Sequence, residues 1–198
     1  MVDEAQDYTK WHMYLLHLLC PNAKFTILGD KYQNVNPYLK GNSLENILEE
    51  VDSMAAFFPI KNAYRSSPEI VEYTNIILKT DIVAKRRSQG IKVEEKTFRS
   101  LEDIEIQNFI DDIRELRSNY QRIGIVCRNR TVANILSSAL GKARGDVLIM
   151  PVYEAKGLEF DAAIVIDTFN KIMEKELLYT ACARAQHKLI VYKASKQQ

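Results

Sequence analysis

Hydrophobic and polar positions follow two periods along the chain, one typical of helices and one typical of short strands. Apolar stripes at helical spacing predict helices over 8–19, 43–51, 70–78, 106–116, 132–140 and 177–185. Short, mainly apolar segments predict strands over 25–28, 57–61, 123–127, 147–152, 162–167 and 189–192, and the more polar segment 92–98 also suggests a strand. This alternation favours an α/β fold in which helices cover both faces of a mostly parallel sheet.

Two local signals frame the helix predicted over 70–78. Ser66 and Glu69 have the spacing of a capping box, and Pro68 suits the first helical turn. Beyond the helix, the basic and polar stretch 85–90 is predicted to be a loop. The basic residues of this loop are either solvated or in contact with nucleic acid, and the pattern leaves both readings open.

Composition narrows the class of protein. A chain of 198 residues suits one large domain, or one domain with part of another, and 46% apolar and 27% charged residues are typical of soluble proteins. The net charge of +1 means that any binding of a polyanion must come from a local patch. Neither the cysteines nor the histidines have the spacing of a disulfide framework or metal site, and Cys127 and Cys182 are predicted to be core residues. Without a long apolar run or a secretory signal, we expect a cytoplasmic protein with no membrane partner.

Two polar segments in the first 35 residues carry candidate chemistry. Asp3 could hold Mg²⁺ and Glu4 could orient an attacking water, although an acidic cluster is also typical of a helix N-terminus. In the segment 29–33, the Gln33 amide could bond a phosphate oxygen and a water at once, or the segment could be a simple turn.

Three further segments lie near predicted strand ends, and such sites usually gather at the carboxyl ends of parallel strands. Arg65 could bind a phosphate and Tyr64 could stack on a base, or both could be ordinary surface residues. In 155–160, Gly157 suggests a close backbone approach and Glu159 could bond a ribose hydroxyl. Arg184 lies off its apolar helical stripe and either projects toward a cleft or is solvated.

Taken in order, these five segments resemble the motor core of the UvrD/Rep-type superfamily 1 helicases. Asp-Glu-Ala-Gln-Asp at 3–7 matches the Walker B box, and 29–33 matches the Gly-Asp-x-x-Gln box. The Tyr-Arg-Ser-Ser run at 64–67, Lys-Gly-Leu-Glu-Phe at 156–160 and Ala-Arg-Ala at 183–185 are similar to three further boxes. The resemblance implies a three-layer, RecA-like P-loop NTPase fold. Residues 1–55 would be a remnant of the first RecA-like domain, and 56–198 the second, without a large inserted subdomain.

The resemblance also implies roles for individual residues, with ATP and Mg²⁺ as cofactors. Toward the nucleotide, the implied residues are Asp3 for the metal, Glu4 for water, Gln33 and Arg65 for the γ-phosphate, Tyr64 for adenine, Glu159 for the ribose and Arg184 as the arginine finger. Lys156 and Gly157 are further implied nucleotide-binding residues. Tyr38 and Arg128 are the implied contacts to nucleic acid. The implied activity is that of an ATP-dependent DNA helicase or translocase, hydrolysing ATP between two RecA-like domains and moving along single-stranded DNA.

Departures from the family pattern qualify this reading. No Gly-rich phosphate loop occurs in the 198 residues, so we expect the isolated chain to be inactive as an ATPase. The family's Thr before the finger arginine is Ala183, and Pro151 and Tyr153 replace its usual Thr and His. The short spacing and the Ala-Cys-Ala-Arg-Ala run look more like the HelD (helicase IV-like) branch, whose members associate with RNA polymerase. A polymerase-remodelling ATPase and a non-catalytic interaction module are therefore the alternative functions.

Overall fold

The computed structural model describes residues 1–34, 55–98, 106–167 and 175–194, which belong to two compact units, Met1–Ile60 and Lys61–Gln198. The helix predicted over 43–51 lies outside these residues. So does Tyr38, one of the two implied nucleic-acid contacts. Within the described ranges, no helix is long and apolar enough to cross a membrane.

The smaller unit is built around one helix, α1 (Lys10–Leu19). The Thr9 side chain caps it by accepting from the backbone N–H of His12. The predicted strand over 25–28 is reduced to a single parallel bridge between Val2 and Ile27. The buried apolar core is small, with Met13 of α1 as its largest member, and much of the predicted helical stripe is exposed.

The larger unit alternates strands and helices as the apolar pattern predicts. In chain order its elements are β1 (Asn62–Ala63), α2 (Pro68–Leu78), β2 (Val83–Ala84), β3 (Glu94–Phe98), α3 (Ile106–Asn119), β4 (Ile123–Cys127), α4 (Arg130–Leu140), β5 (Leu148–Pro151), α5 (Val152–Ala155), β6 (Phe160–Asp167), α6 (Lys175–Cys182) and β7 (Ala185–Ala194). The main sheet has the order β3-β7-β6-β4-β5, and all its pairings are parallel. The mostly parallel α/β fold is confirmed.

Alternate residues of the central strands face two separate apolar cores. On one face, Ile125 and Ile164 pack with residues of α3 and α4. On the other face, Val126 and Val165 pack with residues of α2, α5 and α6. The sheet is therefore the middle of three layers, which explains why its central strands β4 and β6 are nearly continuous apolar runs. Cys127 and Cys182 are buried in these cores, as predicted, and burial raises the pKa of Cys127 to about 12.

Three local predictions are wrong. The strand predicted over 57–61 does not form: its apolar side chains are exposed, and the short strand β1 follows it instead. The last predicted helix ends at Cys182 rather than at 185. The capping box is also absent, because Ser67 rather than Ser66 is the N-cap and its side chain makes no capping bond. Both members of the expected box have tertiary partners, which are described below.

Candidate functional site

In the smaller unit, the acidic box lies at a strained turn. Asp3 and Glu4 are exposed, and the backbone N–H of Glu4 donates to the Asp3 carboxylate at 2.8 Å. Glu4 has a φ of 53°, a left-handed conformation that non-glycine residues rarely adopt, and it precedes the short 3-10 turn Ala5–Asp7. Such strain is typical of functional positions.

A chain of hydrogen bonds joins this box to the segment 29–33. The buried Gln6 side chain donates to the Glu4 carboxylate at 2.5 Å and accepts from the Asp30 backbone at 3.0 Å. The Gln33 amide in turn donates to the Asp30 carboxylate at 2.8 Å. The structure therefore brings Glu4 and Gln33 into one network. Gln6 and Asp30 connect them, and the sequence predicted no separate role for either residue.

A magnesium ion would need ligands from outside the protein. Among the described residues, no group of three or more His, Cys, Asp or Glu side chains could hold a metal. Magnesium is usually held by one or two carboxylates together with the phosphate oxygens of a nucleotide. The exposed carboxylate of Asp3 could be one such ligand. The described residues do not offer a magnesium site made of protein groups alone.

In the larger unit, the predicted phosphate and ribose residues bind each other. The Arg65 guanidinium lies 3.1 Å from Glu159 Oε1, and the side chains are 37% and 39% exposed. The Gln186 amide donates to the other carboxylate oxygen, Oε2, at 2.6 Å. Burial raises the pKa of Glu159, but the hydrogen bond and charge of Arg65, together with smaller effects of Gln186 and Arg122, hold the pKa below its usual value. Sequence reasoning missed Gln186, which carries no signal beyond being a polar residue near a strand start.

These residues converge because the start of α2 is tied to the start of β7. The Ser66 hydroxyl donates to the carbonyl of Ala185 at 2.7 Å, and the Ser67 backbone donates to the carbonyl of Gln186 at 2.9 Å. Glu159 directly precedes β6, the neighbour of β7 in the sheet. The cluster thus lies at the amino ends of β6 and β7, and the expectation of a site at the carboxyl ends is wrong for these residues.

Arg184 is neither solvated nor projected into open space. It occupies the link between α6 and β7, is only 2% exposed, and donates from Nε to the carbonyl of Thr180 at 3.1 Å. Its Nη1 lies 3.4 Å from the carbonyl of Leu158. Since Leu158 directly precedes Glu159, Arg184 is linked to the same short segment as the Arg65 cluster.

The remaining predicted residues differ in how close they lie to this cluster. The Tyr64 side chain, next to Arg65, is 71% exposed and presents its ring to solvent. Gly157 has a φ of +79°, and a Cβ there would meet nothing within 4 Å. Its left-handed backbone, not a close approach, is what favours glycine. Lys156, just before it, is half-buried. Arg128 follows β4 at the opposite, carboxyl end of the sheet and so is not brought to the Arg65 cluster.

Comparison with known proteins finds similarity to helicases. Residues 146–192, which include Lys156, Glu159 and Arg184, match the model of the UvrD-like helicase C-terminal domain. The C-terminal domain of a possible DNA helicase from Lactobacillus plantarum WCFS1 is 26% identical, with a TM-score of 0.56, over 69% of this chain and 90% of that domain. No curated protein matches significantly.

Two viral helicase structures share the fold alone. The PRRSV helicase is 16% identical with a TM-score of 0.58, over 98% of this chain and 34% of that one. An Arterivirus helicase, nonstructural protein 10, is 11% identical with a TM-score of 0.55, over 96% of this chain and 38% of that one. The chain thus corresponds to little more than a third of either.

None of these matches favours the HelD branch or tests RNA polymerase as a partner, so both stay predictions. By fold, and by sequence over residues 146–192, the C-terminal part of the chain is similar to the C-terminal domains of UvrD-like helicases.

Proposed function

We propose that the chain is the C-terminal portion of an ATP-dependent helicase or translocase that moves along single-stranded nucleic acid. The observation that carries the proposal is the cluster of Arg65, Glu159 and Gln186 with the adjacent Arg184. Three of these residues, Glu159, Arg184 and Gln186, lie in the segment matched by the UvrD-like helicase model. Glu159 and Arg184 also have the box spacing of that family.

In this proposal, the ion pair between Arg65 and Glu159 breaks when a nucleotide binds, and each side chain then contacts the nucleotide instead. The guanidinium of Arg65 pairs with a carboxylate in the present structure and would pair with the γ-phosphate instead. The Glu159 carboxylate would then accept from a ribose hydroxyl. The exposed ring of Tyr64 is free to stack on adenine. Because the ion pair is more than one-third exposed, breaking it costs little.

Arg184 would have to leave its two backbone carbonyls to reach a transferring phosphoryl group. Both of these acceptors are neutral, whereas a phosphate offers full negative charges. A role in the transition state is consistent with a side chain that is sequestered until ATP is present. In the smaller unit, Asp3, Glu4 and Gln33 are the proposed residues for Mg²⁺, water and the γ-phosphate.

The proposed contacts to nucleic acid lie away from the proposed nucleotide site. Single strands are bound through basic side chains and exposed aromatic rings, independently of sequence. Arg128 and the half-exposed Tyr153 follow β4 and β5, which pair through Cys127 and Pro151, so both residues belong to the carboxyl end of the sheet. This end is opposite to the Arg65 cluster and is the proposed contact surface for the strand.

The decisive experiment measures ATP hydrolysis by the intact gene product with and without single-stranded DNA. We expect DNA-stimulated turnover that Arg184→Lys lowers by about 10³-fold or more, with ATP affinity changed far less. Lysine keeps the buried charge but not the planar donors. Arg114→Lys, at an exposed helix position, is the matched control. Equal losses of turnover and affinity in Arg184→Lys would contradict the finger role.

The isolated 198-residue chain provides a second test. It contains no Gly-rich phosphate loop, so we expect no Mg²⁺-dependent phosphate release above background. Robust turnover by the purified chain would contradict this expectation.

A further inference from the structure

The basic stretch 85–90, predicted to be a loop, is held against the segment that carries Arg65. It begins where β2 pairs in parallel with β1, and the Lys85 backbone donates to the carbonyl of Ala63 at 2.7 Å. One residue later, Nη1 of Arg86 donates to the backbone carbonyl of Arg65 at 2.6 Å. A guanidinium donating at this distance makes a charge-assisted bond.

The other end of this stretch is fixed to helix α2. The Ser88 hydroxyl and the Gly90 backbone, the latter at 3.1 Å, both donate to Oε1 of Glu69 in the first turn of the helix. Gly90 makes this possible with a φ of +71°. We call residues 85–90 the strap, because its two anchors lie on either side of Arg65 in the sequence. Glu69, expected in a capping box, instead holds the strap.

His187 holds Arg86 from the opposite side. Nη2 of Arg86 lies 3.1 Å from Nε2 of His187, and Nδ1 of His187 lies 3.3 Å from Oε1 of Gln89. A guanidinium can only donate, so Nε2 accepts, and a neutral ring with its proton on Nδ1 satisfies both bonds. The Tyr120 ring stacks on the imidazole, with centroids 6.4 Å apart. The strap therefore bonds in two places to residue 187, next to Gln186 of the Arg65 cluster.

We propose that the strap positions Arg65, with Arg86 as the positioning residue and neutral His187 as the group that keeps Arg86 in place. Fixing the Arg65 carbonyl fixes the backbone from which its guanidinium reaches Glu159. The effect on catalysis rests on the proposed function, in which Arg65 moves to a phosphate. The positioning of Arg65 by the strap does not depend on that function. Arg86 is then a half-buried arginine with a structural role, whereas its exposed neighbour Arg87 takes no part in holding the strap.

Protonation of His187 should loosen the strap. The groups that face the imidazole are Arg86 from the strap, Asp161 from β6 and the Tyr120 ring. A second proton would turn the accepting Nε2 into a donor that faces a guanidinium. Burial first, and then the charge of Arg86, lower the pKa of His187 below its usual value, and Asp161 opposes this. The neutral ring that the hydrogen bonds require is thus also the form that its surroundings favour.

The first test needs no nucleotide. The pKa of Glu159 reports its pairing with Arg65, and carboxyl-carbon NMR can titrate it in the 198-residue chain. In Arg86→Ala we expect this pKa to rise toward its usual value, because Arg65 is no longer held. Arg87→Ala removes the same charge one residue away and should leave it unchanged. No rise in Arg86→Ala, or an equal rise in both variants, would overturn the proposal.

A conservative variant protects the test against a folding defect. Lysine at position 86 can reach the Arg65 carbonyl but cannot bond His187 at the same time. We expect Arg86→Lys to raise the pKa of Glu159 by less than Arg86→Ala does. A wild-type value in Arg86→Lys would show that the bond to His187 contributes nothing and would overturn that part of the proposal.

His187→Gln tests the protonation step. The amide oxygen and nitrogen of glutamine can replace both ring nitrogens, and glutamine does not titrate. Between pH 8 and 5, the Arg65 Nε–H signal of the wild-type chain should shift, and that of His187→Gln should not. An equal shift in both chains would overturn the role of His187.

The catalytic consequence is measured separately in the intact gene product. Arg86→Ala should lower kcat for ATP by about tenfold or more, since misplacing a catalytic group by about 1 Å can cost 100-fold. Arg87→Ala should not. If the NMR tests succeed and the wild-type product hydrolyses no ATP, the proposed function fails and the positioning role of the strap is supported. If the wild-type product is active and the NMR tests fail, the strap proposal fails alone.

Discussion

The ion pair between Arg65 and Glu159 is better suited to function than to stability. Both side chains are more than one-third exposed, so solvent screens their attraction. Yet Arg65 and Gln186 bond the two carboxylate oxygens of Glu159 and thereby fix the orientation of its side chain. This combination fits the proposed role, in which the pair holds two groups in place until a nucleotide replaces it at small cost.

Replacing Glu159 separates the two contributions. Glu159→Gln should lower the free energy of unfolding of the chain by less than about 1 kcal/mol. Because the pKa of Glu159 is lowered in the fold, this contribution is present above its unfolded value near 4.5 and lost as the pH falls through the folded value. Urea unfolding of both chains at pH 7 and pH 3 measures it, with Asp111→Asn in the exposed pair with Arg114 as control. A loss above 2 kcal/mol at pH 7 would mean that the pair is structural.

At the residue scale, the sequence identified the candidate site residues better than it predicted their burial and hydrogen-bond partners. Arg65, Glu159 and Arg184 were singled out by residue type and by box spacing, and the structure brings them to one end of the sheet. The burial of Arg184 could not be foreseen, because Arg184 donates to backbone carbonyls and no side-chain pattern encodes such contacts. Gln186 and Arg86 were missed because their partners, Glu159 and the Arg65 carbonyl, lie 27 and 21 residues away in the sequence.

At the element scale, the main sheet followed directly from apolar periodicity. Strands β4 and β6 were predicted nearly in full because they are largely buried on both faces and are apolar runs. The run over 57–61 looks alike in sequence, but its side chains are exposed. Burial distinguishes these cases, and burial depends on neighbours that are distant in the sequence. For the same reason the helix start at Ser66 was misjudged: its hydroxyl bonds β7 instead of the helix backbone.

The packing of β4 on β6 depends on a glycine. A Cβ at Gly124 would lie 2.4 Å from the Phe160 ring, which begins β6 and ends the Lys-Gly-Leu-Glu-Phe box. Gly124→Ala should therefore destabilise the chain by about 1–3 kcal/mol through overpacking. Denaturant unfolding of Gly124→Ala, Phe160→Leu and the double variant checks this. The double variant should be more stable than the sum of the single effects predicts, and simple additivity would argue against the contact.

At the scale of the whole molecule, the two units differ in the size of their cores. The larger unit has apolar clusters on both faces of a five-stranded sheet, whereas the described part of the smaller one buries only Val2, Ala5 and Met13 as hydrophobic residues. Trp11 and Leu19 of α1 are exposed. Local stability follows the amount of buried apolar contact, so the units should open at different free energies.

Hydrogen exchange measures this difference directly. We expect the amides of β4, β6 and β7 to exchange slowest in the chain and those of α1 to exchange much faster. Peptide-level mass spectrometry over minutes to hours is sufficient, because the slow strands provide an internal reference. Uniform protection from α1 through β7 would contradict the expectation and would mean that the exposed face of α1 is covered in solution.

The position of β7 in the sheet has a consequence for how the protein is made. This strand comes after all the others in the chain, yet it lies between β3 and β6. A ribosome that is still synthesising residues 185–194 has already released β3, which has no other partner in the main sheet. The newly made β3 therefore remains without this partner until residues 185–194 have emerged. Synthesis from the N-terminus thus leaves the sheet incomplete until β7, its last strand in sequence, inserts between β3 and β6.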